Sequence, residues 1–109
     1  VAIELESEGI NVEVIDPRSL KPLDESLILR SLKKTGRLVI VDNGWKTGGI
    51  TGEIAAIAAE KGFSHLKAPV ARVTCPDLPT PAGYTLEQAF YIKQTDIKKA
   101  IFQTVNYQK

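Results

Sequence analysis

Apolar and polar residues alternate from Ile10 to Ile15, with Ile10, Val12 and Val14 set against Asn11 and Glu13. A period of two predicts a strand with one face buried. Arg37–Asp42 holds the run Leu38 to Val41, which is apolar throughout and predicts a parallel strand covered on both faces. Val70–Thr74 is a shorter third strand of the same kind. Between these segments the period lengthens. Asp24 is a ready N-cap for a helix over Glu25–Lys34, with Leu27, Ile28 and Leu32 on one face and Lys33 and Lys34 near the end, where cations favour the dipole. Gly36 stops it. A second helix is predicted over Ile50–Lys61, with Ile54, Ile57 and Ala58 facing inward and Gly62 ending it. Thr95 can cap a last helix from Asp96 to Val105, striped by Ile97, Ala100, Ile101 and Val105.

Strands alternating with helices predict an α/β domain: a mostly parallel sheet with helices on its faces and right-handed crossovers. The prolines at 17 and 22 exclude a regular helix between the first strand and the Asp24 cap. Val1 to Gly9 reads as the end of a helix stopped by Gly9, with no residue to cap its start. The expectation is a domain over residues 1–109 that is truncated at its N-terminus and lacks the strand that would precede this helix.

Composition narrows the function classes. A length of 109 residues suits one core, and 43% hydrophobic against 25% charged residues is ordinary for a globular chain. The formal net charge of +1 gives no electrostatic case for nucleic acid. No apolar run approaches the roughly 20 residues that span a bilayer, and the start lacks a signal-peptide pattern. Cys75 is the single cysteine, which excludes an internal disulfide and fits a reducing compartment.

Candidate chemistry is sparse. The loop Asn43–Gly49 lies between a strand and a helix, where open α/β sheets bind ligands. Gly44, Gly49 and Thr51 imitate a phosphate-loop spacing, but Ile50 stands where the lysine belongs, and the glycines at 44, 48, 49 and 52 miss the dinucleotide fingerprint. A tight turn and close packing of helix on sheet explain these glycines better. Trp45 in that loop either covers the sheet's edge or meets a partner. His65 sits in a polar turn with no metal-ligand spacing and reads as a surface residue, and Cys75 lacks the partners of a catalytic thiol. Arg72 and Asp77 flank a turn, and Arg72 needs a carboxylate, a carbonyl or solvent. Pro76, Pro79 and Pro81 stiffen the path to the last helix, and Leu78 and Tyr84 along it need cover. A structural pair of Arg72 with Asp77 explains these two better than a ligand clamp, and the proline segment reads equally as a rigid loop or as a surface lying across a neighbour. The candidate partner surface is Arg72, Asp77, Leu78, Pro79, Pro81 and Tyr84 together with the closing helix, which the resemblance given below favours.

Three motifs in order carry a resemblance. Val14-Ile15-Asp16-x-Arg18-x-Leu20-x-Pro22-Leu23-Asp24 resembles the strand-to-helix signature of transketolase C-terminal domains, and Gly44-x-x-x-Gly48-Gly49-x-x-Gly52-Glu53-Ile54 resembles their glycine loop. Ala68-Pro69-x-x-Arg72-Val73-x-x-x-Asp77-x-Pro79-x-Pro81, continued by Leu86-Glu87, is similar to the version in the beta subunits of pyruvate, branched-chain 2-oxo acid and acetoin dehydrogenases. The resemblance implies a three-layer α/β/α fold with about five strands. It also implies an upstream pyrimidine-binding domain. The intact enzyme would use thiamine diphosphate and magnesium to decarboxylate a 2-oxo acid oxidatively and acylate lipoamide. The cofactor would sit between that upstream domain and the alpha subunit, so the resemblance transfers no catalytic, cofactor-binding or metal residue to this segment. Its implied partners are the alpha subunit, a second beta subunit and the dihydrolipoyl acyltransferase of a multienzyme complex. The implied place is the cytoplasm or the mitochondrial matrix.

Three other readings stand beside it. One is a free-standing interaction or regulatory domain. A second is a small nucleotide-binding domain built on the Gly44–Gly52 loop. The third is the C-terminal domain of a transketolase or a deoxyxylulose phosphate synthase, against which the short ending and the Asp77-x-Pro79-x-Pro81 run lean.

Overall fold

The computed structural model describes residues 1–16, 23–75 and 91–108. The chain opens with helix α1 (Ala2–Ser7), which buries Leu5 completely. Gly9 follows it at φ 83°, a backbone state that suits glycine, and the Ile10 N–H closes on the Leu5 carbonyl. Helix α2 (Glu25–Thr35) starts where the sequence places it. The Asp24 carboxylate accepts from the Leu27 N–H at 3.1 Å, and Gly36 ends the helix in the left-handed region. Strand β1 (Val39–Trp45) leads to helix α3 (Ile50–Lys61), a one-turn 3-10 helix (Phe63–His65) and strand β2 (Ala71–Cys75). Helix α4 (Gln94–Val105) is the last element described.

β1 and β2 pair in parallel with α3 as the crossover between them. Val39 stands opposite Ala71, Ile40 opposite Arg72 and Val41 opposite Val73. Side chains alternate across a strand, so the Ile40 and Arg72 level points one way and the Val41 and Val73 level the other. Ile40 meets Ile28 of α2 and Ile54 of α3, and Leu23, Leu38, Ile50, Ala55 and Val70 pack around that trio. Burying each such isoleucine stabilises the fold by about 1.5–3 kcal/mol. Val73 and Cys75, on the opposite face, share a cleft with Ala100 and Gln103 of α4. Helices therefore cover both faces of the sheet, and the architecture is α/β as the sequence predicts.

Three expectations change. The alternating stretch Ile10–Ile15 joins no sheet, and the described sheet has only two strands. It runs along β1 across an apolar cavity of about 720 Å3, to which Val12, Ile28, Ile40, Ile54 and Ile97 contribute. The alternation supplies a suitable side-chain pattern, but a strand also needs a backbone neighbour at about 4.8 Å, and here no ladder forms. Second, β1 runs three residues beyond its expected end, into the glycine loop. Trp45 pairs with Cys75, so four residues of β1 advance against two of β2 between Val41 and Trp45, a bulge. The Gly44 N–H bonds to the Asp42 carboxylate at 3.0 Å inside it, an Asx turn that a sequence of turn-formers conceals. Third, α4 begins at Gln94 and Thr95 does not cap it. The Asp96 carboxylate instead accepts from the Lys93 N–H at 2.9 Å, half of a capping box. On its inner face Thr104 is buried and bonds back to the Ala100 carbonyl, while Val105, expected in the apolar stripe, is exposed.

Candidate functional site

Beside β2, toward the carboxyl ends of the two strands, a cleft of about 440 Å3 opens between the sheet and α4. Open α/β sheets bind ligands beyond the carboxyl ends of their strands. Lys46 reaches it from the turn after β1, Arg72 to Cys75 form its β2 wall, and Asp96, Lys99, Ala100 and Gln103 line it from α4. The floor includes the buried apolar side chains Val73, Cys75 and Ala100. The described lining residues include three cationic residues and one acidic one.

Arg72 is fixed from two sides. Its Nη1 donates to the Lys46 carbonyl at 3.2 Å, which ties the end of β1 to β2. The same nitrogen would lie 3.6 Å from a Cβ placed on Gly52, so the guanidinium rests against the first turn of α3. Of the three partners that the sequence allows this arginine, the structure provides a carbonyl. Asp77, Leu78, Pro79, Pro81 and Tyr84, the other members of the expected partner surface, lie outside the described residues. Of that surface the structure brings together Arg72 and the closing helix, which share the cleft.

Lys46, Asp96, Lys99 and Gln103 are the cleft residues that sequence reasoning missed. A signal for three of them exists: positions 96, 99 and 103 recur at helical spacing and define one polar face of α4. Polar helix faces are ordinarily solvated, so that face stays silent until the position of β2 is known.

The glycine loop resolves into separate roles. Gly48 stands at φ 73° and makes the turn into α3. Gly49 is the helix's N-cap and offers no side-chain oxygen. Gly52 departs from the close-packing expectation, because the space beside it admits a Cβ at ordinary contact distance from Arg72. The Thr51 hydroxyl is fully buried without a hydrogen-bond partner among the described residues. Cys75 is a free, buried thiol at the end of β2, and His65 is half-buried in the 3-10 turn rather than freely solvated.

The family description "Transketolase, C-terminal domain" matches residues 1–97. The chain belongs to the transketolase C-terminal domain family. It is 44% identical over 97 residues to the "Pyruvate dehydrogenase E1 component subunit beta" of Rickettsia bellii, covering 89% of this chain and 30% of that subunit. It is 47% identical over 89 residues to the "Acetoin:2,6-dichlorophenolindophenol oxidoreductase subunit beta" of Bacillus subtilis, covering 82% of this chain and 26% of that one. A mitochondrial pyruvate dehydrogenase E1 beta subunit of Dictyostelium discoideum is 42% identical over 96 residues, covering 88% and 27% respectively. This transketolase C-terminal domain is thus of the kind carried by E1 beta subunits, as its three ordered motifs imply, and it spans less than a third of the length of those relatives. Among its described residues no helix is long and apolar enough to cross a membrane. A magnesium-bound diphosphate needs a convergent set of oxygen ligands. No three His, Cys, Asp or Glu side chains of the described residues come together as such a set.

Proposed function

We propose that residues 1–109 form the C-terminal domain of the beta subunit of a thiamine-diphosphate-dependent 2-oxo acid dehydrogenase, and that it works by assembly. In this reading the intact enzyme decarboxylates a 2-oxo acid oxidatively and acylates lipoamide in the cytoplasm or the mitochondrial matrix. The domain contacts the alpha subunit or the second beta subunit and docks the dihydrolipoyl acyltransferase. Thiamine diphosphate and magnesium are held elsewhere in the enzyme. The observation that carries this reading is the match of residues 1–97 to the family, together with relatives that are beta subunits at 42–47% identity.

The cleft supports the same reading locally. Arg72 and α4 meet there, at the point where the chain enters the proline-rich run of Pro76, Pro79 and Pro81. A stiff segment loses little entropy when it docks, which suits a contact surface. Amide hydrogen exchange on the chain alone and on the assembled enzyme in one buffer tests it. Stronger protection across Val73–Thr85 and the first turns of α4 in the assembly is the expected outcome. Equal protection in both samples refutes the contact and leaves this region a rigid connection.

A further inference from the structure

We propose that Asn43 and Gly44 form a self-modification site, at which the Gly44 backbone nitrogen closes on the Asn43 side-chain amide to give a succinimide and then an aspartate or isoaspartate, with the Asp42 carboxylate taking the proton. This goes beyond the assembly role. It needs no partner subunit and no ligand, only water.

An asparagine side-chain carbonyl and the nitrogen of the next residue are close enough along the chain to close a five-membered ring. The reaction is intramolecular, so a held geometry replaces a bimolecular encounter. Two things ordinarily hinder it: the side chain of the following residue, and the engagement of the backbone in a regular ladder. Both are missing here. Glycine has no Cβ. A Cβ placed on Gly44 would come within 2.6 Å of the Asp42 Oδ2, so the carboxylate occupies the space that any other residue would fill. Asn43 is exposed and lies in the bulge between Val41 and Trp45, where neither Asn43 nor Gly44 has a partner opposite it on β2. The other asparagines of the chain, Asn11 and Asn106, precede the bulkier Val12 and Tyr107.

The Gly44 N–H donates to the Asp42 Oδ2 at 3.0 Å, so it is aimed at a base at hydrogen-bond distance and not at a strand partner. In the first step the Gly44 nitrogen gives its proton to that carboxylate and bonds to the Asn43 Cγ. The Cγ–Nδ2 bond then breaks, and the amide group takes a proton back and leaves as ammonia. Water opens the ring at one of its two carbonyls. One opening yields an aspartate, and the other an isoaspartate with an extra methylene in the main chain. Nothing is oxidised or reduced. Either product adds a negative charge beside Asp42 near the carboxyl end of β1. The isoaspartate also lengthens the main chain inside the bulge, just before Trp45 pairs with Cys75.

The test incubates the chain at mildly alkaline pH, samples it over days, digests it with trypsin and reads the peptides by mass spectrometry. The peptide Leu38–Lys46 carries Asn43 and should gain, with incubation time, the mass that separates an amide NH2 from an OH. The peptides that hold Asn11 and Asn106 should lag far behind. Asn43→Gln would need a larger ring and should abolish the gain. Asp42→Ala should slow it severalfold in the folded chain. The same change should matter little in a synthetic Leu38–Lys46 peptide, where no bulge holds the carboxylate on the Gly44 N–H. Asp42→Asn keeps the side-chain shape and serves if Asp42→Ala disturbs the fold, with fragment spectra assigning the gain to position 43. No gain in the folded chain over a time in which the synthetic peptide converts overturns the proposal. So does a folded-chain rate that is the same with and without the Asp42 carboxylate, or a gain at Asn11 and Asn106 that keeps pace with Asn43.

Discussion

Thr51 and Gly52 are neighbours in the first turn of α3, and each departs from what its position would favour. The Thr51 hydroxyl is buried without a described partner, and a buried unpaired hydroxyl costs about 1–3 kcal/mol. Thr51→Val keeps the shape and removes that cost, so it should raise the urea midpoint by an amount equivalent to about 1 kcal/mol. A fall in the midpoint would mean that the hydroxyl is paired in solution. At Gly52 the packing admits a Cβ, and the residue lies inside a helix, where glycine is about 0.8–1 kcal/mol less favourable than alanine. Gly52→Ala should therefore stabilise the chain by about 0.5–1 kcal/mol in the same measurement. Destabilisation would restore the close-packing role that the sequence suggests for this glycine. Arg72 belongs to this scale too. Its need for a partner is legible from its place in a strand. Its actual acceptor, the carbonyl of Lys46, is not, because a backbone carbonyl leaves no mark in the sequence.

Helices with their own punctuation are the elements that the sequence reveals. α2 is legible from end to end because the Asp24 cap, the apolar face and the Gly36 stop are all local signals. Gly36 stands at φ 77°, and a Cβ there would also come within 2.7 Å of the Lys67 side chain. Gly36→Ala should cost about 1–2 kcal/mol, the penalty for an L-residue in that backbone state, read as a lower thermal midpoint. A neutral result would mean that the helix ends in another way. The strands behave differently. Ile10–Ile15 has the alternation of a strand, but pairing depends on a distant backbone that the alternation cannot specify. The bulge in β1 is hidden for a related reason: it is defined by the mismatch between two strands, and each strand alone looks regular. Of the candidate cleft, Arg72 and the closing helix are the parts that the sequence singles out, as members of an expected partner surface. Lys46 and Lys99 are not singled out, because their convergence arises only when β1, β2 and α4 are assembled.

For the whole molecule, the proposed place of the cofactor elsewhere in the enzyme leads to a direct expectation. Calorimetry of this chain with thiamine diphosphate and magnesium should show no saturable heat, whereas a Kd near 1 μM, about −8 kcal/mol, would place a cofactor site within it. The first and last helices also meet: Lys98 of α4 lies 3.8 Å from Glu4 and 3.4 Å from Glu8. These exposed pairs contribute about 0–1 kcal/mol each and fade with salt, so the core decides the stability. The parallel register of β1 and β2 bears on how that core comes into being. Val39 finds its partner Ala71 only about thirty residues further along the chain, so no hairpin can seed the sheet. The entropy of closing that loop is spent before the ladder returns anything, and α3 must be at least partly formed to shorten the search. Folding of this chain should consequently be slower than that of a helical bundle of equal length. Its rate-limiting event should be the docking of α3 on β1, with α2 and α4 condensing around it.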